Sequence, residues 1–473
     1  MHVVEHLIAG EWTAGGDLAT VIDPHDGTPV STAPAATPDE VAAAVAAARD
    51  AAAGWARTAP AQRADALRAA AVAVERSAGA LARTLSSETG KPVADAEASI
   101  AAGVGTLRQY AELGALYGGR TLAGDPGALD FMVREPRGVV AAITPWNDPV
   151  AVSCGLLGAA LVTGNAVVYK PSERAPATGW RLTRLLAPGF PPGVLSMLAG
   201  AAPTGAALAE APVDVVAHVG SSAAGRWIAA AAARTGAKAL LENGGSDPLV
   251  VDAGVDPVWA AGQAALGAFA NAGQLCVSVE RIYVHEAVAE DFLATLVKEA
   301  DGFEIGPLVD VRHRTAVHGE VVAALDAGAT LLTGGAVRDG PGAWYPPTVL
   351  SRCTDEMRVV ENETFGPVAP VVTVGSFDEA LRRAARSAYG LAATVLTGDL
   401  DHAQRAWRTL EVGTVKINAV FGGAPGGAAH PRRDSGEGFG HGPALLEEMT
   451  ATKVVHLRPV SPADGGAGSP GRG

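Results

Sequence analysis

The chain has few cysteines, no run of basic side chains and no basic-then-apolar leader. Its three cysteines, Cys154, Cys276 and Cys353, are odd in number and far apart, which argues against a disulfide framework and fits a reducing, cytoplasmic setting. Lysine and arginine total 36 against 50 acidic residues, a formal charge of −14, so the concentrated basic surface that nucleic-acid binding needs is missing. The start, Met1 to Leu7, is not a signal peptide. One stretch resembles a membrane span, since no charged residue lies between Asp148 and Lys170. Pro149 suits the first turn of a helix, however, and Thr163-Gly164-Asn165 stops it before Ala166-Val167-Val168-Tyr169. A buried helix followed by a buried strand is therefore expected, and no membrane partner.

With 48% hydrophobic and 18% charged residues over 473 positions, the chain can bury substantial cores in two domains or more. Ala-rich helical stretches cover residues 38–53, 60–89 and 93–116. Short apolar runs at 138–144, 166–169, 194–198 and 214–219 then alternate with helices, the mark of parallel βαβ units. A second series runs through 248–251, 281–285 and 368–374, with a late strand candidate at 412–418. The Gly-rich stretch 422–429 reads equally as a flexible lip over a pocket and as an irregular loop. Residues 461–473, rich in glycine, proline and serine, are expected to be disordered.

Five motifs carry possible chemistry. Trp146-Asn147-Asp148 follows a strand, where open α/β sheets place ligands, and the Asn147 amide can face an oxyanion; the competing reading is a helix cap. Lys170-Pro171-Ser172-Glu173 offers a donor and an acceptor for the two hydroxyls of a ribose, or is a solvated turn. Gly220-Ser221 through Gly225 opens a helix whose N-terminus can approach phosphate, though it is no standard glycine fingerprint. Glu242, in Leu241-Glu242-Asn243-Gly244-Gly245, is a carboxylate able to activate water, and Cys276, after Asn271-Ala272-Gly273-Gln274-Leu275, is a thiol in a small, polar neighbourhood. A buried structural cysteine is the alternative there. Glu363-Thr364-Phe365-Gly366-Pro367 can hold a second ribose and a flat ring, or form a surface turn.

Together and in this order, the motifs resemble the aldehyde dehydrogenase family, from residues 8–12 to 453–455. The resemblance implies an α/β fold: a Rossmann-like cofactor domain (1–113 and 137–244), an α/β catalytic domain (245–443) and a small β oligomerisation element (114–136 and 444–460). A homodimer or homotetramer follows from that element. The implied chemistry oxidises a small-molecule aldehyde to a carboxylic acid. Cys276 attacks the carbonyl carbon, Asn147 and the Cys276 N–H face the oxyanion, and Glu242 activates the water that resolves the thioester. Trp146, Lys170, Ser172, Glu173, Gly220, Ser221, Gly225, Asn243, Gly244, Glu363 and Phe365 are the implied cofactor residues, and no metal is implied. NAD is expected over NADP, because Glu173 accepts bonds from a free 2′-hydroxyl and repels a 2′-phosphate. The rival functions are CoA-dependent acylation and a catalytically idle scaffold.

Several positions depart from the family pattern. Asn243 replaces a leucine, and His218-Val219 replaces phenylalanine-threonine. Ala428-Ala429-His430-Pro431-Arg432-Arg433 replaces a segment with an aromatic residue, so the pocket mouth is expected to lack aromatic walls there. Charge points two ways on substrate: Asp148 toward a cationic aminoaldehyde, His430, Arg432 and Arg433 toward an anionic semialdehyde.

Overall fold

The computed structural model describes residues 1–424 and 426–459, so the expected tail at 461–473 lies outside the described residues. Its architecture is α/β, built on two large sheets, with smaller sheets at the edges. The eight-stranded sheet runs Gly436–Glu437, Lys238–Glu242, Val215–Val219, Val139–Ile143, Ala166–Lys170, Leu195–Met197, His6–Ile8 and Glu11–Thr13. Its five central strands are parallel, and the short flanking strands pair antiparallel. The chain winds one way from Val139–Ile143 and then returns to the other side at Val215–Val219, so a switch point opens between these two strands. Their carboxyl ends deliver Trp146, Lys170, Gly220 and Glu242 to one edge of the sheet.

The seven-stranded sheet runs Thr330–Thr333, Thr348–Ser351, Val368–Val374, Val279–His285, Asp247–Val251, Ala392–Leu396 and Thr414–Ile417, parallel except at the first pair. A three-stranded antiparallel sheet joins Arg120–Leu122, Leu129–Pro136 and Thr450–Leu457. Leu129, Val454 and Leu457 are exposed on it.

Local chemistry explains the helix boundaries. Pro38–Arg57 starts with a reciprocal capping box between Thr37 and Glu40. The helical stretch over 60–89 forms two helices, Pro60–Arg76 and Ala78–Thr89, separated at Ser77, whose backbone is non-helical (φ −105°, ψ 5°). The uncharged stretch after Asp148 forms the helix Pro149–Val162 and the strand Ala166–Lys170, with Gly164 turning between them at φ +97°. Among the described residues no helix is long and apolar enough to cross a membrane.

One buried carboxylate fixes the start of the helix that follows the Lys170–Glu173 turn. Glu88 accepts from Ser31 Oγ at 2.7 Å, the amides of Ala177 and Thr178 at 2.9 and 2.8 Å, and Thr178 Oγ1 at 2.8 Å. These amides begin the helix Pro176–Leu186, which follows directly on the Lys170–Glu173 turn. Glu88→Leu is expected to lower unfolding free energy by about 3 kcal/mol in urea melts, because it orphans several buried donors. Glu88→Gln should lose less.

Candidate active site

Cys276 sits beyond the helix Pro257–Phe269, on a loop with strained backbone. Asn271, Ala272 and Gly273 are all left-handed, at φ 51°, 56° and 71°. At Gly273 a Cβ would lie 2.1 Å from the Gly366 carbonyl, so only glycine fits. Hydrogen bonds hold this shape. Gln274 is buried, its Nε2 donating to the Asn271 carbonyl at 3.1 Å and its Oε1 accepting from the Val309 N–H at 2.9 Å. The Gln274 carbonyl accepts from Asn271 Nδ2 at 3.1 Å and from Asn147 Nδ2 at 3.0 Å. An amide nitrogen carries two protons, so Asn147 keeps one donor beyond this bond.

Cys276 is half-buried and, with Glu242, lines one cavity of about 980 Å³. Glu242 Oε1 accepts from the Gly440 N–H at 2.8 Å, and His441 Nδ1 is 3.9 Å away. A Cβ on Gly440 would strike Glu242 at 2.1 Å. Burial pushes Glu242 up to about 7, against the Gly440 bond, which lowers it. Burial likewise raises Glu363 to about 7 and Asp247 to about 8. Burial first, then the charges of Glu242, Asp247, Glu363 and Asp148, pushes the Cys276 thiol up to about 12. Cys154 and Cys353 are also pushed up by burial, inside apolar clusters.

The other predicted residues gather at the adjoining sheet edge. Lys170 is buried, its Nζ donating to the Pro171 carbonyl at 2.9 Å, and burial lowers it to about 8 although Glu173 raises it. Ser172 Oγ accepts from the Arg174 N–H at 3.2 Å, and Glu173 is exposed. Ser221 caps the helix Ser222–Thr235 by accepting from the Ala224 N–H, and Gly225, one turn in, leaves space that Asn243 fills. Asn243 donates from Nδ2 to the Asp434 carbonyl at 3.1 Å. Glu363 Oε1 accepts from the Gly245 N–H at 2.9 Å, and a Cβ on Gly244 would lie 2.1 Å from Glu363 Oε2. Phe365 (φ +53°) meets Trp146 edge-on at 5.6 Å, and Arg174 lies over Trp146 at 5.2 Å while pairing with Asp310 at 3.0 Å.

This edge fits a nicotinamide dinucleotide. Ser222 Oγ and Asn243 Oδ1 are buried there without a hydrogen-bond partner in the protein. The helix start supplies N–H groups beside small residues.

Three expectations change. Asp148 occupies the cap position of the helix Pro149–Val162 but makes no side-chain cap bond; it is engaged by Ser99 and, at 3.4 Å, by Lys91. Its carboxylate is thus already partnered within the protein. Arg433 pairs with Glu411 and donates to the carbonyls of Ala385 and Ser387, while His430 bonds the Pro431 carbonyl and the Gly438 N–H. None of His430, Arg432 and Arg433 lines the cavity, whereas Ala428 and Ala429 do.

Sequence reasoning missed Glu280, Gly440 and His441. Glu280 is buried, raised by burial and by Glu363, and takes the N–H groups of Thr364 and Phe365 at 3.0 Å each. Its signal was available: a carboxylate in an otherwise buried strand, Val279–His285. Gly440 and His441 carried none, since their role comes from tertiary contact with Glu242.

The aldehyde dehydrogenase family profile matches residues 12–455. The chain belongs to the aldehyde dehydrogenase family. A 3,6-anhydro-alpha-L-galactose dehydrogenase of Streptomyces coelicolor is 36% identical, with 96% of each chain covered. A solved 3,6-anhydro-L-galactose dehydrogenase in complex with NADP superposes with a TM-score of 0.93 at 30% identity, covering 96% of this chain and 100% of the other. A betaine aldehyde dehydrogenase of Staphylococcus aureus in complex with NAD+ gives 0.92 at 30% identity, covering 96% and 94%. This aldehyde dehydrogenase is accordingly an NAD(P)-dependent enzyme with a Rossmann-like domain and a catalytic domain.

The carboxylates around Cys276 make a direct prediction. Above pH 7 Glu242 is ionised and opposes thiolate formation. Alkylation of Cys276 by iodoacetamide at alkaline pH should therefore speed up several-fold in Glu242→Gln. A slower reaction would instead make Glu242 the base that deprotonates the thiol.

Proposed function

We propose that this aldehyde dehydrogenase oxidises an aldehyde to a carboxylic acid through a covalent thioester on Cys276. The observation that carries the reading is the convergence of three groups. Cys276 and Glu242 line one cavity, and Asn147 is bonded to the carbonyl two residues before the cysteine. In this reading Cys276 Sγ attacks the carbonyl carbon to form a thiohemiacetal. The free proton of the Asn147 amide and the Cys276 N–H receive its oxyanion. A nicotinamide cofactor, when bound, would accept the hydride that the thiohemiacetal carbon must lose as its carbonyl re-forms, which leaves the thioester on Cys276. Glu242 then takes a proton from water as that water attacks the thioester, and the acid leaves with the thiol restored.

In the same reading Lys170, Ser172 and Glu173 hold the adenosine ribose, Gly220, Ser221 and Gly225 at the start of the helix Ser222–Thr235 take the phosphates, and Asn243, Gly244, Glu363, Phe365 and Trp146 hold the nicotinamide end. The exposed carboxylate of Glu173 favours a free 2′-hydroxyl, so NAD is the preferred cofactor. Residues 1–113 with 137–244 serve as the cofactor domain and 245–443 as the catalytic domain. The sheet edge at Thr450–Leu457 joins copies of the chain, and the enzyme works in the cytoplasm.

NADH formation over an aldehyde panel, without CoA, is the test. Wild type should yield free acid, and Cys276→Ala should abolish turnover; acyl transfer strictly dependent on CoA would overturn the hydrolytic route. NAD should exceed NADP in kcat/KM, and Glu173→Gln should narrow that gap. The pH profile has a defined sign. A base must be ionised to work, so release of the acid should rise through about pH 7 and level off above it, following the raised Glu242. Glu242→Gln should remove this limb and slow release by roughly 100-fold.

A further inference from the structure

The cavity shared by Cys276 and Glu242 has walls of an unusual kind. Its volume, about 980 Å³, is at the top of the roughly 300–1,000 Å³ typical of pockets that hold whole drug-sized molecules. Two helices form much of it: Val93–Leu116 contributes Ala102, Gly105, Thr106 and Tyr110, and Pro149–Val162 contributes Ala151, Val152 and Gly155. Gly422, Gly423, Ala424, Gly427, Ala428 and Ala429 add small residues, and Gln109, Thr414 and His441 add polar ones. Among the described residues no lysine, arginine or aspartate lines the cavity, and Glu242 is the one glutamate. Tyr110 spends its hydroxyl on the Gly442 carbonyl at 3.1 Å.

Gly105 and Gly155 are the informative pair. Glycine inside a helix costs about 1 kcal/mol relative to alanine, so it calls for a reason. On the same two helices Gly103 and Gly158 have an evident one: a Cβ there would meet Cys154 Sγ or Leu107 Cδ2 at 3.1 Å, where the helices pack. A Cβ at Gly105 or Gly155 meets no atom within 4 Å. Neither has a positive φ. Packing and backbone strain thus explain neither; what the missing side chains leave is open space in the cavity that Cys276 also lines.

We infer that this cavity takes a bulky, uncharged, largely apolar aldehyde, and that Gly105 and Gly155 are specificity-determining positions that hold the room for it. The inference rests on the aldehyde oxidation proposed above. The walls are mostly small and apolar, with Thr106, Gln109, Thr414 and His441 as scattered polar groups, and among the described residues they offer a charged tail no lysine, arginine or aspartate to pair with. A substrate of two or three carbons would leave most of the cavity to water and gain little binding energy from it.

The experiment uses the full chain with saturating NAD and compares acetaldehyde, an aminoaldehyde, a semialdehyde carboxylate, decanal and naphthaldehyde. The expected result is a kcat/KM for decanal and naphthaldehyde at least ~10-fold above the other three. Gly155→Leu should then cut the ratio of naphthaldehyde to acetaldehyde by ~10-fold, mainly through KM, with a melting temperature equal to or above wild type. Gly105→Leu, on the facing helix, provides the same reading should the first variant fold poorly. A charged aldehyde or acetaldehyde ranking first would overturn the inference while leaving aldehyde oxidation intact. An unchanged ratio in both folded variants would do the same. Failure of wild type to oxidise any aldehyde would instead defeat the underlying reading.

Discussion

The hydrogen bond from the Asn147 amide to the Gln274 carbonyl joins the two halves of the site. Asn147 leaves the carboxyl end of a strand in the eight-stranded sheet, whereas Gln274 belongs to the loop that carries Cys276 toward the seven-stranded one. Three consecutive left-handed residues make that loop costly, of the order of 1–3 kcal/mol for each non-glycine position. The side chains of Asn271, Gln274 and Asn147 return hydrogen bonds to the same stretch of backbone, so the strain persists only while both sheets are in register. Geometry at the cysteine is therefore a property of the contact between sheets.

Electrostatics around the thiol act in the opposite sense from a simple activated cysteine. Glu242, Glu363, Asp247 and Glu280 are all pushed upward by burial, and the charges of the first three raise Cys276 in turn. Each carboxyl also has a structural duty: Glu363 holds the Gly245 amide, Glu280 the amides before Gly366, Asp247 the Ala392 amide. The loops on either side of the site are tied down by groups whose negative charge the reaction must tolerate.

Much of this was legible in the chain. The alternation of apolar runs with helices sufficed for an α/β fold, and motif order sufficed for the family. Short-range signals located Cys276, Glu242 and Asn147, because the small polar residues that shape their loops are adjacent in sequence. Partners supplied from a distance were not legible. Nothing near Asp148 announces that Lys91 and Ser99 will engage it, and nothing near Arg433 announces Glu411, so the charge of either residue was a poor guide to substrate from the sequence alone.

The segment 434–440 closes the glutamate loop from outside. The Ser435 hydroxyl donates to the Gly244 carbonyl, the Ser435 carbonyl accepts from the Asn243 N–H, Gly436–Glu437 pairs with the end of the Glu242 strand, and Gly440 holds the carboxylate itself. During synthesis the strand Lys238–Glu242 emerges long before these residues do, and until then it is a bare sheet edge ending in an untethered acid. Cys276 and Glu242 are thus both made early, and the loop around Glu242 gains its tethers only when a much later stretch of chain arrives.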